Sequence, residues 1–258
     1  MDFVIAAETD VGIKKKTNQD SLWIRNARHP RAGVVLLAVL CDGMGGLQKG
    51  ELASNSVLMA FRRWFDGAFS EALDKNRFDE QWLRTEWNTL LQEENRTIMK
   101  YGRDHGFQMG TTVTAFLVLN GMYYTVHIGD CRLYELETEL RLLTKDQTLV
   151  AQEVQKGNMT EEEAGKDPRR NVLLQCVGAS ETLIPVFGSA VLNDRGCYLL
   201  CTDGFRHVLT SDEIFFALCD YPVLTKEELG GRLRGLIEQN KERMEEDNIT
   251  AAAIAVRR

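Results

Sequence analysis

The stretch TTVTAFLVLNGMYYTVHIGDCRLYELETELRLL, residues 111–143, decides the fold class. Three short runs rich in β-branched and aromatic residues, 112–119, 122–128 and 132–136, follow one another here, and such runs read as strands. Asn120-Gly121 between the first two is the signature of a two-residue hairpin turn, which needs positive φ at both positions. A parallel pairing needs a crossover of a dozen residues or more, and this stretch has no room for one. The sheet around it is therefore expected to be antiparallel, which counts against a doubly wound parallel fold.

Runs of the same kind lie at 3–7, 21–25, 34–41, 184–191, 197–202 and 249–256. Helical patterns fall in two blocks. The first covers 51–65 and 79–103, where Trp64, Trp82, Leu83, Trp87, Leu90, Leu91 and Ile98 recur at helix-face spacing and read as core. The second lies near the C-terminus, where TSDE from Thr210 and TKEE from Thr225 read as capping boxes opening helices. Residues 146–177 are polar and irregular, with a short helix expected behind a cap at Thr160, and read as a surface excursion. No repeat or Pro-rich linker interrupts the chain. A single α+β domain over 1–258 is the simplest organisation.

Bulk properties narrow the function classes. The chain has 258 residues, 44% hydrophobic and 27% charged, enough to bury a real core. A net charge of −7 argues against nucleic acid, whose phosphates call for a basic surface. The start, MDFVIAAETD, does not read as a signal peptide, and the longest apolar run, 34–41, is too short to span a bilayer. Six cysteines without a C-x-x-C pair read as reduced core thiols of a cytoplasmic protein.

VVLLAVLCDGMGGLQKGELAS, 34–54, ends an apolar run on Asp42 and turns through glycines into a helix. An ordinary turn, a phosphate-cradling loop and a loop delivering a metal ligand all compete for it. The phosphate loop fails, because Lys49 is followed by Gly50 and the glycine spacing is wrong. Asp130 and Asp203 also end apolar runs, and Asp20 and Asp247 precede two others. In an antiparallel sheet the end of one strand and the start of its neighbour share an edge, so five acids from distant segments could converge on one rim. Converging carboxylates raise one another's pKa unless a cation sits among them. Without histidine or cysteine companions, the donor type suits hard divalent ions, Mg²⁺ or Mn²⁺. One Asp-Gly alone suits a plain turn; several at strand ends favour a metal site. There is no G-x-S-x-G elbow and no H-E-x-x-H, and the four histidines are scattered and read as core or solvated.

At this point the chain resembles the metal-dependent Ser/Thr protein phosphatases of type 2C, in their compact bacterial form. Eight stretches carry the resemblance in order: TDVGIKKKTNQDSL, LCDGMGGLQKGELAS, MGTTVTAFLV, HIGDCRLY, LTKDQT, DPRRNVLLQCVG, LLCTDG and EDNITAAAIAV. It implies two antiparallel sheets packed face to face as a β-sandwich, with a pair of helices on each outer side. It implies that Asp42 bridges two metal ions, Mn²⁺ or Mg²⁺, with the Gly43 carbonyl on one of them. Asp203 and Asp247 would ligate the other, Asp20 would hold metal-bound water, and Asp130 would share a third, weaker ion with Asp203. Residues 147–172 match a flap beside the active site. The implied reaction is direct hydrolysis of phosphoserine and phosphothreonine, with phosphorylated proteins and a cognate bacterial Ser/Thr kinase as partners and a monomer as the working form. No phosphoenzyme and no cysteine nucleophile are expected. Two positions depart from the family pattern. Lys15 stands where an arginine usually grips the substrate phosphate, keeping the charge but losing the two-pronged geometry. Met44 stands where eukaryotic relatives carry a histidine, and a thioether cannot protonate a leaving group. The alternatives are a catalytically weak or inactive binding module of the same fold and a phosphatase for small phosphoesters.

Overall fold

The structure, a computed structural model, describes residues 1–44 and 49–257. Among these residues the order begins β1 (Asp2–Asp10), β2 (Ser21–His29), β3 (Gly33–Cys41) and α1 (Gly50–Trp64). A π-helical turn (Phe65–Phe69) leads on into α2 (Ser70–Asp74), then α3 (Glu80–His105). Next come β4 (Val113–Leu119), β5 (Met122–Ile128), β6 (Arg132–Leu136), β7 (Leu140–Leu142), α4 (Leu149–Gln155) and α5 (Glu161–Lys166). The last part holds β8 (Val186–Val191), β9 (Cys197–Cys201), α6 (Asp203–Arg206), α7 (Ser211–Leu218), α8 (Lys226–Glu242) and β10 (Ile249–Arg257).

The strands form two five-stranded sheets, ordered β1-β10-β9-β6-β7 and β2-β3-β4-β5-β8. Every neighbouring pair is antiparallel. The β4–β5 hairpin closes where expected: Leu119 faces Met122, and Asn120 and Gly121 both take positive φ, 51° and 75°. β3 is apolar throughout because both of its faces are covered. Leu36, Ala38 and Leu40 point between the sheets at Phe116, Tyr198 and Ile254. Val35, Leu37 and Val39 point outward at Phe61 of α1 and Trp87 and Leu91 of α3. On the opposite outer side α7 and α8 pack on β1, β9 and β10, with Leu229, Leu233 and Ile237 of α8 in that core. The result is helix, sheet, sheet, helix, the layering that the family resemblance implied.

Local chemistry explains several helix starts. Thr160, Thr210 and Thr225 each form a reciprocal capping box with the glutamate three residues on, and the Asp79 carboxylate caps α3. Several details differ from the sequence reading, among them the following. The run 197–202 ends as a strand at Cys201, because Thr202 is the N-cap of α6. The run 184–191 pairs only from Val186 onward. The excursion 146–177 holds a second helix, α4, which buries only Val150 and so carries no legible periodicity. Five of the six cysteines are buried thiols, whereas Cys219 is partly exposed. Among the described residues no helix is long and apolar enough to cross a membrane.

Candidate metal centre

Strand register brings the expected acids to one end of the sandwich. Ser21 pairs with Cys41, so Asp20 before β2 and Asp42 after β3 emerge side by side. Cys201 pairs with Ala251 on one side and Arg132 on the other. Asp203, Asp247 and Asp130 therefore leave neighbouring ends of β9, β10 and β6. A bridge joins the two sheets here: the hydroxyls of Thr250 and Thr202 donate to Asp20 Oδ2 at 2.6 and 3.2 Å.

The backbone around Asp42 is fixed by the start of β4. Its amide donates to Thr112 Oγ1 at 2.9 Å, and its carbonyl accepts from Thr112 N and Thr111 Oγ1, also at 2.9 Å. Gly43 then threads a gap that no side chain fits, because a β-carbon there would lie 2.5 Å from the carbonyl oxygens of both Gln19 and Gly50. Gly204 is as constrained, with Asn248 O 2.2 Å from its virtual β-carbon. Asn248 itself ties three segments together. Its Oδ1 accepts from Gln19 N at 2.9 Å, and its Nδ2 donates to Val11 O and Thr17 O at 2.9 and 3.2 Å. His127, read as core or solvated, is core. Its Nε2 meets two carbonyls, Gly129 O at 2.9 Å and Lys145 O at 3.2 Å, so Nε2 carries the proton and Nδ1 accepts from Thr114 Oγ1. The ring pins the corners leading into Asp130 and Asp146, and burial lowers its pKa to about 4.

Electrostatics mark this end of the molecule. Burial, then the charges of Asp203 and Asp247, raise Asp20 to about 7 against the hydroxyl bonds of Thr250 and Thr202. Burial and the charge of Asp203 raise Asp130 to about 7, with Arg206 opposing. Asp42 is raised well above the ordinary carboxylate range, by burial and then by Asp20, Asp203, Asp130 and Asp247. Asp203 is raised by burial and by Asp247, opposed by Arg206 and by a hydrogen bond from Asp42. Two carboxylate oxygens, Asp20 Oδ1 and Asp203 Oδ1, are buried without a hydrogen-bond partner. A buried acceptor left unpaired costs free energy, and a divalent cation is the partner that would relieve both the orphaned oxygens and the mutual repulsion. Among the described residues no three His, Cys, Asp or Glu side chains close on one point as a complete ligand set. The donor set suits magnesium or manganese.

Lys15 also lies at this rim, 3.0 Å from Asp247 Oδ1. Met44 donates its amide to Gly110 O at 3.0 Å. Gly45 and Gly46, in the glycine turn after Asp42, fall outside the described residues. Cys41 is buried in β3, and its burial pushes the thiol well up, so it supplies no thiolate.

One network was not anticipated from the sequence. Arg132 grips both oxygens of Asp146 at 2.9 and 2.8 Å, and Arg206 reaches the same carboxylate at 3.3 Å. Arg206 also donates to the Asp130 carbonyl at 3.0 Å and lies 3.9 Å from its carboxylate. The only sequence signal was the presence of Asp146 inside LTKDQT and of Arg206 three residues after Asp203.

Residues 13–234 match the family described as Protein phosphatase 2C. The protein phosphatase PhpP of Streptococcus pneumoniae is 31% identical over 228 residues, covering 87% of this chain and 88% of that protein. Among solved structures, the S. agalactiae serine/threonine phosphatase superposes with a TM-score of 0.82 at 29% identity, covering 99% of this chain and all of that one. The catalytic domain of the serine/threonine protein phosphatase PstP, solved in complex with two manganese ions, gives 0.78 at 28% identity over 99% of each chain.

Proposed function

Because the chain belongs to the protein phosphatase 2C family, we propose that it removes phosphate from serine and threonine residues of proteins through a two-cation site at the rim. The observation that carries this reading is the convergence of five strand-end aspartates, with Asp20, Asp42, Asp130 and Asp203 raised in pKa, around two orphaned carboxylate oxygens. Asp42, the Gly43 carbonyl, Asp203 and Asp247 would hold the pair of ions, and Asp20 would orient water beside them. When bound, such ions acidify a water and neutralise the phosphoryl oxygens.

The chain's own groups supply the rest. Thr202 and Thr250 keep one Asp20 oxygen engaged, leaving the other free to face the ions. Asn248 fixes the segment that carries Asp20 and Lys15. Lys15 provides the cation for the substrate phosphate, exchanging its contact with Asp247 for the incoming anion. Met44 offers no proton, so the departing alkoxide takes one from solvent. We take manganese as the first ion to supply, following its presence in the PstP domain; magnesium suits the same oxygen donors. A third ion between Asp130 and Asp203 would share Asp130 with the Arg206 guanidinium and is assigned a lower affinity than the pair. We read residues 1–258 as one monomeric catalytic unit with a flap at 147–172, opposing a Ser/Thr kinase. Retention of all five acids weighs against a binding module.

Chelated protein should release no phosphate from phosphoserine and phosphothreonine peptides and recover turnover on addition of Mn²⁺. Metal-independent turnover, or none with any divalent ion, would overturn the reading. Lys15→Ala is expected to raise KM for a phosphopeptide by about tenfold with a smaller change in kcat, as for loss of one charge-assisted contact. An unchanged KM would remove Lys15 from the site.

A further inference from the structure

Beside the aspartates lies a cavity of about 570 Å³, walled by both the rim and the segment 142–171. Asp130 and Asp203 line it, and so do Arg132, Lys145, Arg170 and Arg206. Its acids other than Asp130 and Asp203 are Asp146 and Glu161. Once the rim aspartates are given to metal ions, four cations face two carboxylates, in a chain whose overall charge is −7. Asp146 is already shared by two guanidiniums, and the other carboxylate beside Arg206, that of Asp130, is one of the rim acids. Both are largely buried, 28% and 16% exposed, where surplus charge is poorly screened by water. The Nε atoms of Arg206 and Arg170 are buried with no acceptor. Neither Arg170 nor Lys145 has a side-chain ion pair among the described residues. Part of the lining is aliphatic, from Leu142, Val150 and Val154.

Resting on the phosphatase reading above, we propose that this cavity is a second substrate subsite, which takes an anionic side chain close to the phosphorylated residue. The aliphatic lining accommodates the stem of that side chain. Arg170 and Lys145 meet its carboxylate or phosphate with donors that lack another partner. The substrates preferred are then acidic or multiply phosphorylated segments, and the preference is set by residues that play no part in hydrolysis.

The test uses the full chain with Mn²⁺ and one phosphothreonine peptide in three forms. Flanking positions carry alanine, glutamate or a second phosphoserine, and p-nitrophenyl phosphate serves as a substrate with no flanking anionic side chain to offer the cavity. Wild type should favour the glutamate or the phosphoserine form over the alanine form by about tenfold in kcat/KM, mostly through KM. In Arg170→Ala/Lys145→Ala the preference should fall below about threefold, and Arg170→Lys should keep part of it. Turnover of p-nitrophenyl phosphate should be unchanged in both variants, which also reports that they fold. Which anionic form wins distinguishes a carboxylate from a phosphate ligand. No preference in wild type, or a preference that survives in the double variant, overturns the subsite. Loss of p-nitrophenyl phosphate turnover in wild type would instead remove the phosphatase reading beneath it.

Discussion

Asparagine in place of Asp42 is expected to abolish metal-dependent turnover, by on the order of 10³-fold or more, while leaving the chain folded. The amide keeps the shape and can still donate toward Asp203, as the protonated acid does in the absence of ions. It cannot bridge two cations as a carboxylate does. The distinguishing mark is in stability. In chelator, Asp42→Asn should melt no lower than wild type, because the amide is uncharged like the acid it replaces, whose charged form burial and then Asp20, Asp203, Asp130 and Asp247 all oppose. In Mn²⁺ it should lose most of the wild type's gain. Thermal melts with and without the ion check both halves. A variant that keeps turnover, or one that melts far lower in chelator, would show that Asp42 serves architecture instead.

The second large effect is the response of the metal-free protein to pH. Asp20 and Asp130 lie at about 7 in the native chain against 3.8 ordinarily, and Asp42 and Asp203 are raised as well. Between those values the native state holds protons that the unfolded state has released. Linkage then makes stability fall as pH rises through 7. His127 works the other way: its native pKa of about 4 lies below the ordinary 6.5, so its contribution grows with pH across that interval and is constant above it. The window from pH 6.5 to 8 therefore isolates the aspartates. In EDTA the melting temperature should drop across it. With Mn²⁺ it should hold or rise, because the ions compete better as protons leave. An ion at a hundred times its dissociation constant adds about 2.7 kcal/mol, which is about 5–10 °C for a chain of this size. A melting temperature in EDTA that climbs from pH 6.5 to 8 would contradict the clustered acids.

Much of this site could be read before any coordinates, for identifiable reasons. A strand alternates its faces with period two and must end where its apolar run ends, so Asp42 and Asp130 announced themselves as strand-end acids. Antiparallel pairing then made a shared rim a consequence of topology, with Asn120-Gly121 fixing one hairpin. What stayed hidden depends on side chains meeting across long stretches of sequence. Nothing near Arg206 indicates that it shares Asp146 with Arg132, and nothing near Asp20 names Thr202 and Thr250 as its donors. Lys15 was legible as a cation at the right spacing, but its contact with Asp247 was not. β7 and α4 escaped because three residues, or two turns burying one valine, leave no periodic trace.

Thr202 and Thr250 sit on one leaf of the sandwich and clasp a carboxylate carried by the other. The reacting end is thus also the hasp of the whole assembly. Any hinge-like drift of one leaf against the other would carry Asp20 and Asp42 away from Asp203 and Asp247 by the same displacement. The steadiness that the proposed pair of cations would demand is inherited from the close-packed interior rather than supplied by the loops, and substitutions deep between the leaves become, in effect, substitutions in the site.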